Sequence, residues 1–340
     1  VTVVDWTDRV TTDEETEQLG QKLAWQPYDI HGETQSEFFV YRLNDNRNFL
    51  LFRANHILLD GVGMLLQFGH QIQVAEALSR GETPPVIPDH FKDFVHLSRE
   101  ETDSDVTLDY WKKAATNLEA VDFSLPPQSK TAAATPTRIV KRVRLDDAHW
   151  QQVRAYCKSI GIHPSYYFKG LYGLMISVYC RAEQDFYISE VLGGRNGIHR
   201  KTYGNYFQVM PVVFPQSLFA QSEQVTALFD HVASYRKQLR NVGYSSLMMQ
   251  RQLLPQGRLN FMFNYYNFIA SMSLWGTPVE TFTYPQVQDG PIQFVVHDQD
   301  GWLDLVLIYL TSQFDDLRFG ERMSHVSQQI MNGVTALDKL

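Results

Sequence analysis

The residues best placed to do chemistry lie in "LLFRANHILLDGVGM", Leu50 to Met64, where an apolar run delivers His56 and, four residues later, Asp60 and Gly61. In a strand, side chains alternate between faces, so Leu50, Phe52, Ala54 and His56 would share one face while Arg53 and Asn55 point away. An imidazole on that apolar face is partly desolvated, which favours its neutral form. A neutral imidazole can take up or orient a proton near neutral pH. Asp60 and Gly61 would then end the strand and open a helix, glycine allowing close backbone approach. Simpler readings exist for each residue. A histidine at a strand end is ordinarily a satisfied core or surface residue, and Asp60 alone reads as the N-cap of the next helix.

Other chemistries leave no trace. There is no G-x-S-x-G, no phosphate-binding Walker loop, no H-E-x-x-H and no dinucleotide glycine fingerprint. The remaining histidines are scattered without zinc-like spacing, so no metal is expected. The 340 residues are 44% hydrophobic and 20% charged, with a formal charge of −8 and no Lys/Arg-rich run. A nucleic-acid partner is therefore not expected. Cys157 and Cys180 read as reduced core thiols of a cytoplasmic protein, and no run of membrane-spanning length appears.

The elements that must position the site can be read from periodicity. Asp13–Trp25 reads as a helix, Ser36–Leu43 and Asn48–Ile57 as a hairpin, and about Gly61 to Ser79 as a second helix. "DYWKKAATNLEAV" is a further helix. The Pro-, Thr-, Ser- and Ala-rich stretch 124–137 reads as a linker between an N-terminal lobe, 1–123, and a C-terminal lobe, 138–340. Beyond it, "IVKRVRL" alternates as a strand, "DDAHWQQVRAYCKSIG" is a helix with an acid at its start and glycine at its end, and "HPSYYFKGLYGLMISVYC" is a mostly buried helix. "DFYISEVLGG", "YFQVMPVVF", "RLNFMFNYYNF", "PIQFVVHD" and "WLDLVLIYL" read as strands before a last helix. The strand-like opening "VTVVDWTD" reads as mid-domain, so chain before Val1 is expected.

Taken with its surroundings, "HILLDGVG" resembles the His-His-x-x-x-Asp-Gly motif of nonribosomal peptide synthetase condensation domains, within the chloramphenicol acetyltransferase-like superfamily. "EVLGGRNGI" resembles the segment that supplies a structural arginine, "YGNYFQVMPVVF" the G-x-F-x-N-x-x-P-L strand, and "GRLNFMFNYYNF" a later active-site strand. "GPIQFVVHDQDGWLDLVLIYLTSQFDDLRF" resembles the terminal strand pair. The resemblance covers nearly the whole chain. It implies an α/β fold of two chloramphenicol acetyltransferase-like lobes in a V-shaped pseudodimer, with mixed sheets flanked by helices.

The resemblance also assigns roles. His56 matches the catalytic second histidine, Asp60 the structural acid, Gly61 the residue lining the channel, and Arg195 the expected partner of Asp60. Asn260 and Gln208 match substrate-side positions. The chain departs from the pattern where Asn55 stands for the first histidine, Gln208 for an asparagine, and Val213 for a common arginine. "DGVGM" is closer to siderophore-type amide synthases with aryl donors. The implied reaction is amide formation between a carrier-bound acyl thioester and an amine. The partners would be peptidyl or aryl carrier proteins, which bring the phosphopantetheine, so no bound cofactor is required. Ester formation, or carrier docking without chemistry, remains as an alternative.

Overall fold

A computed structural model describes residues 1–8, 11–24, 26, 29, 31–32, 35–44, 47–102, 104–115, 118, 138–179, 185–195, 197–221, 224–242, 253, 261–267, 272–274, 277–279, 292–299, 302–310 and 319–339. The chain divides into two compact units. The first comprises residues 1–95, 194–207 and 268–288, and the second 96–193, 208–267 and 289–340. Both are therefore assembled from separated stretches of sequence. The linker expected at 124–137 lies outside the described residues.

In the first unit, β1 (Thr2–Trp6) pairs parallel with β2 (Ser36–Leu43), and β2 pairs antiparallel with β3 (Asn48–Ala54). Helix α1 (Asp13–Ala24) makes the crossover that a parallel pair requires. Its start carries a reciprocal cap: Thr12 Oγ1 accepts from Glu15 N, and Glu15 Oε2 accepts from Thr12 N. Leu23, Tyr41 and Leu43 form a small core with Trp6, Phe39 and Phe49 against it. The expected hairpin is present, but β3 stops at Ala54, three residues before the expected end at Ile57. Helix α2 runs Gly61–Ser79.

The second unit holds most of the apolar core. Helix α3 (Phe91–Thr102) begins in the first unit and ends in the second. It is followed by α4 (Asp105–Ala115), β4 (Arg138–Leu145), α5 (Asp147–Ser159), α6 (Pro164–Tyr179) and β5 (Phe186–Gly193). Next come β6 (Phe207–Phe214), α7 (Gln216–Gln221), α8 (Val225–Val242) and β7 (Phe261–Tyr266). After the short antiparallel pair β8 (Met272–Leu274) and β9 (Thr277–Val279), which belongs to the first unit, β10 (Ile292–Gln299), β11 (Trp302–Leu310) and α9 (Phe319–Met331) complete the chain.

The six-stranded sheet has the order β4-β11-β10-β7-β5-β6. It is mixed: β4–β11 and β11–β10 are antiparallel, β10–β7 and β7–β5 parallel. Alternation along β11 sends Leu303, Leu305, Leu307 and Tyr309 to the main core, and Val306 and Ile308 to a smaller cluster with Val295. On the main-core face, α6 is apolar nearly all round, as a buried helix should be. Tyr167, Phe168, Leu171 and Tyr172 are fully buried there beside Trp150 of α5 and Phe229 of α8. No helix among the described residues is long and apolar enough to cross a membrane. Cys157 is a buried free thiol, its pKa pushed up to about 12 by burial, and Cys180 lies outside the described residues.

Candidate functional site

His56, Asp60, Gly61 and Arg195 all belong to the first unit. Asp60 is only 5% exposed and is shared among three donors. It is the N-cap of α2, where Oδ1 accepts from Gly63 N at 2.6 Å. Arg195 Nη2 donates to the same oxygen at 2.7 Å, and Tyr206 N donates to Oδ2 at 2.9 Å. The cap and the ion pair, which the sequence offered as separate readings, coexist on one carboxylate. Such a buried charge must be paired and hydrogen-bonded to be tolerable.

The loop of residues 199–204 wraps the guanidinium with carbonyls. Arg195 Nη1 donates to the oxygens of His199 and Thr202, and Nη2 also donates to Gly204 O at 2.9 Å. Its charged plane lies over the Tyr206 ring, 4.2 Å from the centroid, a cation–π contact. Thr202 Oγ1 donates to His199 O, so the Tyr206 hydroxyl is the donor in the bond these two hydroxyls share. Burial raises the Tyr206 pKa and keeps it a donor.

Two residues of this clasp escaped the sequence reading. At Gly63 a Cβ would stand 2.8 Å from Gly204 O and 3.0 Å from Arg195 Nη2. The second glycine of "DGVG" is therefore demanded by the close approach of the arginine and its loop. Tyr206, in "GNYF", supplies both the amide for Asp60 and the ring under Arg195. The available signal was two glycines separated by one residue and an aromatic two residues after a glycine, too common to point anywhere alone.

His56 does not sit where strand alternation placed it. Asn55 N still donates to Gln35 O, but the Asn55 side chain then turns the chain, with Oδ1 accepting from Ile57 N at 3.1 Å. Leu58 N closes the turn on Asn55 O. An asparagine that bonds the backbone two residues on competes with the ladder, and this ends β3 at Ala54. His56 is consequently exposed in the turn. Its carbonyl accepts from Asn205 Nδ2 at 2.8 Å, and its ring meets the Phe207 ring edge-on at 5.1 Å. Neither ring nitrogen has a hydrogen-bond partner among the described residues. Gly61, exposed, is the first residue of α2.

The remaining candidates lie elsewhere in the chain. Gln208 and Val213 are in β6 within the second unit, and Gln208 Oε1 is buried with no partner among the described residues. Asn260 lies outside the described residues. Within the second unit, Lys169 of α6 and Glu190 of β5 form a buried ion pair, burial lowering the lysine pKa.

The family model that describes a condensation domain matches residues 1–338. The chain belongs to the condensation-domain family. A stretch of 145 residues, 41% of the domain, is 25% identical to nonribosomal peptide synthetase dtxS1 of Metarhizium robertsii, and covers 2% of that protein's length. Among solved structures, the X-domain from teicoplanin biosynthesis superposes with a TM-score of 0.79 at 15% identity, covering 100% of this domain and 81% of that chain. The starter condensation domain of rhizomide synthetase, solved in complex with C8-CoA, gives 0.76 at 17% identity, covering 100% and 79%. At these identities the structures establish the fold, chloramphenicol acetyltransferase-like with mixed sheets flanked by helices.

Proposed function

We propose that the domain forms an amide bond, transferring an acyl group from the phosphopantetheine thioester of a peptidyl or aryl carrier protein to an amine. The observation that carries this reading is His56 itself. Its peptide is held in a fixed turn beside the Asp60–Arg195 clasp, while its imidazole is exposed with both nitrogens free of described partners.

The chemistry asks for little more. The amine attacks the thioester carbonyl, the C–N bond forms, the C–S bond breaks, and the thiol leaves. Bringing the reactants together can supply about 7–11 kcal/mol in favourable cases. The attacking nitrogen must lose one proton, and in this reading His56 receives it. A general base of this kind contributes about 10²–10⁴-fold. Gly61, exposed and without a side chain, leaves room for the substrate arm at the start of α2. Asn260 and Gln208 complete the proposed substrate-side set.

A second reading has one observation in its favour. Asn55 stands where the motif ordinarily has its first histidine, as it would in a domain that docks carriers without chemistry. The test is single-turnover acyl transfer by the intact chain and by His56→Ala, using an acyl-loaded carrier and a panel of amines and alcohols, read by mass spectrometry. Amide product from the wild type and a loss of about 10²–10⁴-fold in the variant is the expected result. Equal product from both removes His56 as base. Ester as the main product makes the acceptor an alcohol, and carrier binding without any product supports the docking reading.

A further inference from the structure

We propose that Asn55 and Asn205 are positioning residues that hold the peptide of His56 from its two sides and so aim an imidazole that has no hydrogen-bond partner among the described residues. This rests on His56 being the residue that does the chemistry. Every hydrogen-bonding group of Asn55 is used in shaping the turn. Its N–H donates to Gln35 O at 2.9 Å, and its C=O accepts from Leu58 N at 3.0 Å. Its Oδ1 accepts from Ile57 N, and its Nδ2 donates to Gln35 Oε1 at 3.1 Å.

Gln35 is itself fixed. Its Nε2 donates to Asp29 O at 2.6 Å and to Gly32 O at 2.9 Å, which orients its amide and leaves Oε1 facing Asn55. From the other side, Asn205 Nδ2 donates to the His56 carbonyl. The other end of that amide, Oδ1, is buried and has no partner among the described residues. Among the described residues, the side-chain bond that this amide makes is the one to His56, so its contribution runs through that contact.

Supporting groups of this kind matter because a reacting side chain is only as well placed as the shell that holds it. A neutral imidazole at position 55 would also carry one donor and one acceptor, but only Nδ1 sits on Cγ, where the amide places both of its polar atoms. The asparagine is thus an alternative way of building the turn, with the following histidine retained.

The test uses the full chain with ¹⁵N-labelled histidine, the His56 imidazole signal being the one that His56→Ala removes from the eleven histidines. Asn55→Ala and Asn205→Ala are each expected to shift the His56 signal and lower the thermal midpoint by no more than about 4 °C. With octanoyl- or benzoyl-N-acetylcysteamine as donor and glycine methyl ester as acceptor, kcat should fall about 10- to 100-fold. KM should stay within about twofold, the pattern for loss of a transition-state interaction. Asn55→Asp keeps the acceptor for Ile57 N and should recover part of the loss. An unmoved His56 signal in both alanine variants overturns the proposal, as does an unchanged kcat. Wild-type turnover by His56→Ala defeats the catalytic role assigned above instead, and the histidine signals still decide whether the two asparagines hold the turn.

Discussion

Asp60 takes three donors on two oxygens: the Gly63 amide, the Arg195 guanidinium and the Tyr206 amide. Removing either charge leaves the other buried and unpaired, since the Asp60 and Arg195 side chains are only 6% and 7% exposed. Asp60→Ala and Arg195→Ala should each cost about 3–5 kcal/mol, measured as the unfolding free energy in urea. Activity lost in these variants would accompany lost stability, whereas His56→Ala should leave stability within about 0.5 kcal/mol because the ring is exposed. A second residue-scale expectation concerns pH. Burial holds His149, His163 and His297 below their ordinary value of 6.5. The unfolded chain then binds protons that the folded chain refuses, so the associated stability is fully present above pH 6.5. It declines below that and is exhausted once pH falls beneath the folded values. Urea midpoints from pH 7.5 to 5 should fall, and His297→Gln should flatten the slope.

Among elements, α2 is the one whose sequence and setting pull apart most clearly. Its glycines look alike in sequence but meet different surroundings. At Gly69 a Cβ would meet nothing within 4 Å, while at Gly63 it would strike the Gly204 carbonyl and Arg195. Gly69→Ala should therefore stabilise by about 0.5–1 kcal/mol through helix propensity. Gly63→Ala should destabilise despite the same gain. Thermal melts of the pair separate propensity from packing, and equal shifts in both would refute the clasp geometry. Helix α2 was legible in sequence because Asp60 caps it and apolar residues run through it. Helices α3 and α8 are not among the elements that the periodicity predicts. α8 spreads Val225, Leu228, Phe229, Val232, Tyr235 and Leu239 at helical spacing among charged residues, and only their burial together makes the stripe conspicuous. β3 was overextended because alternation continues through His56 while the hydrogen bonds of Asn55 do not.

For the molecule as a whole, the two contact units draw on interleaved segments, so residues 194–207 complete a unit begun more than a hundred residues earlier. In the second unit the buried Lys169–Glu190 pair ties a helix to the central sheet. Burial penalises the lysine's charge first, with Glu190 the main opposing influence. Lys169→Met should be strongly destabilising, by about 3–5 kcal/mol, while Lys169→Met with Glu190→Leu should recover most of the loss, because a buried pair can be replaced by apolar volume. Urea unfolding of the single and double variants measures this, and an additive double variant would refute the coupling. By itself the sequence determined the α/β class, most of the strands, and α2 with its capping acid. Those depend on local periodicity and on a capping residue beside the helix it starts. Only the tertiary structure decided that Asp60 serves cap and ion pair at once, that Gly63 and Tyr206 complete the clasp, and that His56 stands exposed in a turn. Each of these follows from hydrogen bonds and close approaches between segments remote in sequence, which no local pattern records.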